Sequence, residues 1–193
     1  MPGIVDQLRT LLAGAASEAP DAAGDTESAV LVPLFLSGEE LHAVFTKRRA
    51  DLRRHPGEVS FPGGRRDHLG ETLAETALRE AHEEVGLPPG AVELIGTLAP
   101  VRTFVTGYVI YPQVGLIEPG YRWTPSPHEV AQVMELPLQA LLAGYAVRPV
   151  TRRGFTFETD TYVVGDHFIW GATARILGDL IGRLGPLLAR PQA

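Results

Sequence analysis

The sequence contains no cysteine and no apolar segment long enough to cross a bilayer. Without cysteine the chain forms no disulfide and no cysteine-ligated zinc site. A transmembrane helix needs about 20 consecutive apolar residues, and the apolar stretch at 4–16 is interrupted by Asp6 and Arg9. We therefore expect a cytoplasmic protein that does not bind membranes.

Positive charge is in the minority, because 17 Lys and Arg face 23 Asp and Glu and the net charge is −6. This balance argues against general nucleic-acid binding. The basic residues are nevertheless concentrated, since residues 47–66 hold seven Lys or Arg and only two acids. Arginine suits bidentate phosphate recognition. The segment is either a solvated basic loop or a binding surface for a small polyanion such as a pyrophosphate.

Length and composition predict one folded domain. The 193 residues are 45% hydrophobic and 21% charged, which is sufficient for a sizeable core. We assign residues 28–188 to this domain. Residues 1–27 are predicted to form a short amphipathic helix at 3–13 and a mobile linker at 14–27, and residues 189–193 a flexible tail. The sequence leaves open whether the protein is a monomer or a homodimer.

Apolar periodicity and turn residues predict the order of the elements. Strands are expected at 28–36, 41–46, 58–61, 92–98, 107–117 and 130–136, a hairpin at 155–159 and 161–164, and helices at 73–85, 137–143 and 168–184. This order is typical of an α/β (α+β) fold with a mixed sheet between helices.

The helix at 73–85 carries the clearest chemical signal. Thr72 followed by Glu75 predicts a capping box, and Gly86 predicts a left-handed stop. One face is apolar and predicted to meet the core. On its flank Glu80, Glu83 and Glu84 are neighbours, because residues three and four apart share a helix face.

Three carboxylates so close together repel one another. Each pair costs about 1 kcal/mol at 4 Å in water, and about 4 kcal/mol at an effective dielectric constant of 20. A divalent cation would convert this repulsion into coordination, and carboxylate oxygens suit Mg²⁺ or Mn²⁺. The alternative is an acidic, solvated helix face.

The segment from Gly64 to Leu87 resembles the Nudix box, G-x5-E-x7-R-E-U-x-E-E-x-G-U, where U is bulky and aliphatic. The matching residues are Glu71, Arg79, Glu80, Glu83, Glu84, Gly86 and Leu87. The loop after Gly64 has one extra residue, so Asp67 could share the role of Glu71. The first U position is the small Ala81.

The stretch before the box resembles the signature of the coenzyme A pyrophosphatase subgroup. The matching residues are Thr46-Lys47-Arg48, Leu52, His55, Gly57 and Phe61-Pro62-Gly63-Gly64, with Phe168-Ile169-Trp170-Gly171 near the C-terminus. Val44-Phe45 stands where two leucines are usual. The similarity covers about residues 28–184.

These resemblances imply a Nudix α/β/α sandwich and a metal-assisted hydrolase that cuts coenzyme A into 4′-phosphopantetheine and adenosine 3′,5′-bisphosphate. They imply that the Gly63 carbonyl, Glu80, Glu83 and Glu84 hold Mg²⁺ or Mn²⁺, and that Arg79 orients the glutamates. The proton acceptor is Glu83, Glu84 or Glu129; Glu118, Glu135 and Glu158 are weaker rivals for the distal carboxylate. The residues expected to bind substrate are Arg48, Arg53, Arg54, His55 and Arg65.

Three functions remain open at this point. The first is a coenzyme A pyrophosphatase, and the second is a Nudix pyrophosphatase for ADP-ribose, NADH or another nucleotide. The third is a catalytically silent module that binds nucleotides. The three clustered glutamates disfavour the third function, because a pure binder does not need them, and the signature before the box favours the first.

Overall fold

The computed structural model describes residues 3–13, 26–68, 70–103, 107–152 and 154–189. Four α-helices lie in these ranges: α1 (Ile4–Leu12), α2 (Leu73–Val85), α3 (Leu138–Ala143) and α4 (Gly171–Leu188). The predicted N-terminal helix is confirmed as α1. Most of the predicted linker and tail lies outside the described residues. None of the described helices is both long and apolar enough to cross a bilayer.

Eleven strands are described, and eight of them form one mixed sheet. The eight are β1 (Thr26–Ser37), β2 (Glu40–Arg48), β3 (Val59–Ser60), β4 (Gly63–Arg65), β5 (Glu93–Thr97), β6 (Val101–Arg102), β7 (Tyr108–Leu116) and β8 (Val130–Pro137). The central strand β1 runs parallel to β7 and antiparallel to β2 and β4. β1 begins at Thr26, inside the segment predicted to be a linker.

Helices cover both faces of this sheet, so the predicted α/β/α sandwich is confirmed. Alternate residues of β1 point to opposite faces, as the two-residue period of a strand requires. Val32 and Leu34 pack in the larger core with α1, α3 and α4, whereas Ala29 and Leu31 pack in a smaller core against α2.

The face of α2 that meets the sheet is made of small residues. Ala77, Ala81 and Val85 are fully buried. The small residue at position 81, which departs from the bulky pattern of the box, lies against the sheet face formed by Ala29 and Leu31. Its size keeps the glutamate-bearing helix close to the sheet.

A second sheet consists of β9 (Tyr145–Arg152), β10 (Phe155–Val164) and β11 (His167–Trp170), all antiparallel. The predicted hairpin within 155–164 is wrong, because these residues form one continuous strand between β9 and β11. The last helix begins at Gly171 rather than at residue 168, because residues 167–170 pair with β10 instead. Phe168 is consequently exposed.

Candidate active site

The start and end of α2 are fixed by local hydrogen bonds. The Thr72 hydroxyl accepts from the Glu75 amide, and the Glu75 carboxylate accepts from the Thr72 amide, so the predicted capping box is confirmed. Gly86 ends the helix at φ +75°, a left-handed conformation in which glycine is favoured. The glutamates between these two points therefore lie on a rigid helix.

Arg79 connects the glutamate cluster to the loop before α2. Its Nε donates to Glu71 Oε1 at 2.8 Å and its Nη1 to Glu80 Oε1 at 2.9 Å. Nη2 also donates to the Arg65 carbonyl at 3.0 Å. Despite the extra loop residue, Glu71 reaches Arg79, whereas the nearest oxygen of Asp67 lies 3.9 Å from the guanidinium. Glu75, four residues before Arg79, is engaged in the capping box with Thr72 instead.

The glycine pair allows close approach on both sides of β4. A Cβ on Gly63 would overlap the backbone of Ala29 and Val30 in the neighbouring strand. A Cβ on Gly64 would overlap the Glu80 carboxylate. Gly63 is therefore required by the backbone of the sheet, whereas Gly64 leaves space for the flexible end of Glu80.

Glu84 is the buried member of the cluster. It is 7% exposed, and its Oε2 accepts from the Gly63 amide at 3.3 Å. Burial, together with the negative charges of Glu80 and Glu129, raises its pKa to about 8. The Gly63 amide and Arg48 oppose this shift without cancelling it.

The other two glutamates occupy different environments. Glu80 is largely buried, and burial raises its pKa even though Arg79 favours the ionised form. The Glu83 side chain is 58% exposed and lies 3.4 Å from Arg79 Nη1, a weaker contact than that of Glu80. One helix face thus carries a buried, a braced and a solvated carboxylate.

Glu129 approaches from the loop that crosses the end of α2. This loop is attached to the helix by hydrogen bonds from the Ser126 amide to the Glu84 carbonyl and from the Thr124 amide to the Val85 carbonyl. The Glu129 carboxylate lies 3.5 Å from Arg48 Nη1. Its rival Glu135 instead accepts from the Trp123 indole at 2.7 Å.

The basic segment is only partly directed at the glutamates. Arg48 is 27% exposed in its side chain and close to Glu129, and its buried Nε has no hydrogen-bond partner in the described chain. Arg53, Arg54 and Arg65 are exposed. His55, predicted to bind substrate, directs its Nδ1 to Glu58 Oε2 at 2.6 Å.

A divalent cation fits the donor set at this helix face. Within the described ranges, no three acidic or imidazole side chains converge as a finished metal site. The oxygen donors of Glu80, Glu83 and Glu84 nevertheless suit Mg²⁺ or Mn²⁺. Burial leaves Glu84 with an unfavourable charge that a cation would offset. The metal-ligand set, including the Gly63 carbonyl, stays a prediction.

Sequence reasoning missed the partners that come from distant segments. Arg152 of β9 reaches Glu58 and stacks on Trp170, and neither contact has a sequence signal beyond the residue types. Arg48 was predicted to bind substrate, but its proximity to Glu129 depends on the path of the 121–129 loop.

Several known proteins resemble this chain in sequence. The profile of the family described as NUDIX domain matches residues 25–153. The uncharacterized Nudix hydrolase NudL of Enterobacter sp. (strain 638) is 43% identical over 161 residues, which cover 82% of this chain and 83% of that protein. NudL of Salmonella newport (strain SL254) gives the same values.

Solved structures share the fold at low sequence identity. A MutT/nudix family protein from Enterococcus faecalis has a TM-score of 0.59 at 12% identity, covering 96% of this chain and 76% of that one. A Nudix hydrolase from M. smegmatis, RenU, has a TM-score of 0.53 at 20% identity, covering 62% and 74%.

Proposed function

Because the chain belongs to the Nudix family of hydrolases, we propose that it hydrolyses the diphosphate bond of coenzyme A or its derivatives with Mg²⁺ or Mn²⁺. The products are 4′-phosphopantetheine and adenosine 3′,5′-bisphosphate. Nudix hydrolases generally use such divalent metals. The substrate assignment goes beyond family membership and is supported by the sequence signature that precedes α2.

The observation that carries the catalytic proposal is the pairing of a buried glutamate with a braced one. Glu84 is buried against the Gly63 amide, and Glu80 is held by Arg79 beneath the space that Gly64 leaves free. Burial raises the pKa of both carboxyl groups, so each negative charge is poorly stabilised unless a cation binds beside it. Perturbed carboxylates of this kind cluster at functional sites.

The chain's own residues divide the work of the reaction. Glu80, Glu83, Glu84 and the Gly63 carbonyl would hold the metal, which would polarise phosphoryl oxygens and lower the pKa of bound water. One of Glu83, Glu84 or Glu129 takes the proton as the water oxygen bonds to phosphorus and the bridging P–O bond breaks.

The exposed carboxylates suit the base role better than the buried one. Glu84 is committed to the Gly63 amide. Glu83 and Glu129 are more than half exposed in their side chains and can meet an attacking water. The Glu129 carboxylate also lies 3.5 Å from Arg48 Nη1. We assign the proton to Glu83 or Glu129 and the metal principally to Glu80 and Glu84.

The basic segment supplies the groups for the substrate's phosphates. Arg48 lies 3.5 Å from the Glu129 carboxylate, and among the described residues its buried Nε has no hydrogen-bond partner. Arg53, Arg54, Arg65 and His55 complete the proposed binding set. Coenzyme A carries a diphosphate and a separate 3′-phosphate, which suits several arginines better than one.

The test is a substrate panel with the full chain. Coenzyme A, ADP-ribose and NADH are each incubated with the protein and Mg²⁺ or Mn²⁺, and products are separated by chromatography. We expect equal amounts of the two coenzyme A products. Rapid cleavage of ADP-ribose with coenzyme A intact would overturn the substrate assignment, and no cleavage of any compound would favour a binding module.

A matched pair of variants separates the site from the helix that carries it. Glu83→Gln removes a carboxylate at the site and should abolish most turnover. Glu75→Gln makes the same chemical change on the same helix, but glutamine at this position still completes a capping box. Glu75→Gln should therefore retain activity, and a comparable loss in both variants would contradict the assignment.

A further inference from the structure

A charged cluster links the second sheet to the basic segment, away from the glutamates of α2. Arg152 of β9 forms a close ion pair with Glu58, and its Nη2 lies 3.4 Å from His55 Nδ1. The Arg152 guanidinium also lies over the Trp170 ring, 5.2 Å from its centroid. Two strands of the second sheet therefore hold one end of the 49–58 loop.

The contacts are partly buried and mutually supporting. The Glu58 side chain is 22% exposed and that of Arg152 32%. Burial alone would raise the pKa of Glu58, but hydrogen bonds from His55 and Arg152 outweigh it and hold the pKa below its ordinary value. Glu58 is therefore ionised at neutral pH and bound on two sides.

His55 has an unusual backbone conformation for its residue type. Its φ is +53°, and it is the one described non-glycine residue with a positive φ. Such a conformation costs about 1 kcal/mol and persists only where surrounding contacts enforce it. The contact between Nδ1 and the Glu58 carboxylate is one of two that close this turn.

Backbone hydrogen bonds at the two ends of the 49–58 loop connect this cluster to Arg48 and Glu129. The Arg48 amide donates to the Glu58 carbonyl at 3.0 Å, and the Glu58 amide donates to the His55 carbonyl at 3.3 Å. Arg48 in turn reaches Glu129, while the Arg49 amide donates to the Glu129 carbonyl. A short path of hydrogen bonds and ion pairs thus runs from Arg152 to the Glu129 carboxylate.

We propose that Arg152 is a positioning residue that latches the 49–58 loop through Glu58 and so sets the affinity for the diphosphate substrate without taking part in bond breaking. The latch also forms one wall of a cavity of about 300 Å³ that Lys47 and Phe168 line as well. The affinity part of the inference rests on the proposed function; the loop part does not.

The loop is tested by native-state proteolysis, which needs no substrate. Trypsin cleaves after arginine, and Arg53 and Arg54 are exposed in the loop. Losing a charge-assisted contact should raise the open fraction of the loop about tenfold. In the Arg152→Gln variant, fragments ending at residues 49–54 should therefore form about tenfold faster. Mass spectrometry follows their formation.

The matched control is Arg148→Gln. Arg148 lies on the same strand, but it donates to Thr161 Oγ1 within the second sheet and does not touch the loop. This variant should leave both cleavage and kinetics unchanged. Equal acceleration in both variants would show that the sheet is generally destabilised, and would overturn the latch.

Kinetics with coenzyme A test the affinity part. Arg152→Gln should raise KM about tenfold and change kcat less than about twofold. Glu58→Gln should do the same, and the exchanged pair Arg152→Glu with Glu58→Arg should recover part of the loss. A fall in kcat at unchanged KM would overturn the positioning role.

Failure of the proposed function is distinguishable from failure of the latch. If the unmodified protein leaves coenzyme A intact but cleaves another diphosphate, the kinetic test is made with that compound. If it cleaves none, the affinity part fails, and the tryptic rates alone still decide whether Arg152 holds the loop.

Arg152→Lys keeps the charge, so its tryptic cleavage rate and its KM should fall between those of the unmodified protein and those of Arg152→Gln.

Discussion

Replacing Glu84 with glutamine should stabilise the protein when no metal is bound, increasingly so as the pH rises. Glutamine has nearly the same shape and can still accept from the Gly63 amide, but it carries no buried charge. Burial raises the pKa of Glu84 from 4.5 to about 8. A raised carboxyl pKa means that the associated stability is fully present below pH 4.5 and is lost as the pH rises through 8.

The size of the effect follows from the two pKa values. Relative to a neutral side chain, Glu84 costs the metal-free protein about 1 kcal/mol at pH 5 and about 3 kcal/mol at pH 7. For a chain of this length, 1 kcal/mol corresponds to about 2–4 °C in melting temperature. The advantage of Glu84→Gln over the unmodified protein should therefore grow by about 4–8 °C between these pH values.

The assay is thermal unfolding followed by circular dichroism in chelator-treated buffers from pH 5 to pH 8. Glu75→Gln is the control, because Glu75 is exposed and hydrogen bonds from Thr72 lower its pKa. The difference in melting temperature between Glu75→Gln and the unmodified protein should therefore not change with pH above pH 5. Saturating Mn²⁺ at pH 7 should narrow or reverse the Glu84→Gln advantage, since a cation binds the ionised carboxylate. A difference in melting temperature between Glu84→Gln and the unmodified protein that does not change with pH would refute the reasoning.

Three further predictions concern the same helix face. Glu83→Gln should lower kcat by about 10²–10⁴-fold with an unchanged melting temperature, and near-normal turnover with excess Mg²⁺ would remove Glu83 from the catalytic role. Arg79→Lys cannot bridge two carboxylates with one ammonium and should lower the free energy of unfolding by about 2–3 kcal/mol in urea titrations; an unchanged midpoint would contradict the brace. Gly64→Ala should displace the flexible end of Glu80 and weaken Mn²⁺ binding in calorimetry at little cost in stability, whereas Gly63→Ala meets backbone and should unfold at lower temperature. The opposite ranking of these two variants would contradict the roles assigned to the glycines.

Local signals explain what could be predicted from the sequence. The helix α2 begins at a capping box and ends at a left-handed glycine, and both motifs act within a few residues. The strands around it have apolar patterns that match their burial. Glu71 still reaches Arg79 because the additional residue lies between Gly64 and Glu71, and the spacing from Glu71 to Arg79 is that of the box.

Long-range pairing explains what could not be predicted. The residues at 167–170 have an apolar pattern that also suits a helix. They form strand β11 because they pair with the neighbouring strand β10. Arg152 and Glu58 are 94 residues apart, and nothing near either residue identifies the other as its partner. Helical spacing placed Glu83 and Glu84 on one flank, but the position of the sheet determines that one is exposed and the other buried.

The three glutamates of α2 show how one residue type can serve different purposes. Arg79 holds the Glu80 side chain in place in the folded protein, so a cation that binds there does not have to order it. Glu84 is buried beside an amide, and its charge becomes favourable only when a cation replaces the proton that it would otherwise hold at neutral pH. Glu83 lies 3.4 Å from Arg79 Nη1 and is more than half exposed, so it can meet an attacking water. Environments that separate the protonation behaviour of neighbouring acids are those that allow separate roles. The different roles proposed for the three glutamates therefore follow from burial against the sheet, contact with Arg79 and exposure to solvent. They do not follow from the residue type, which is the same in all three.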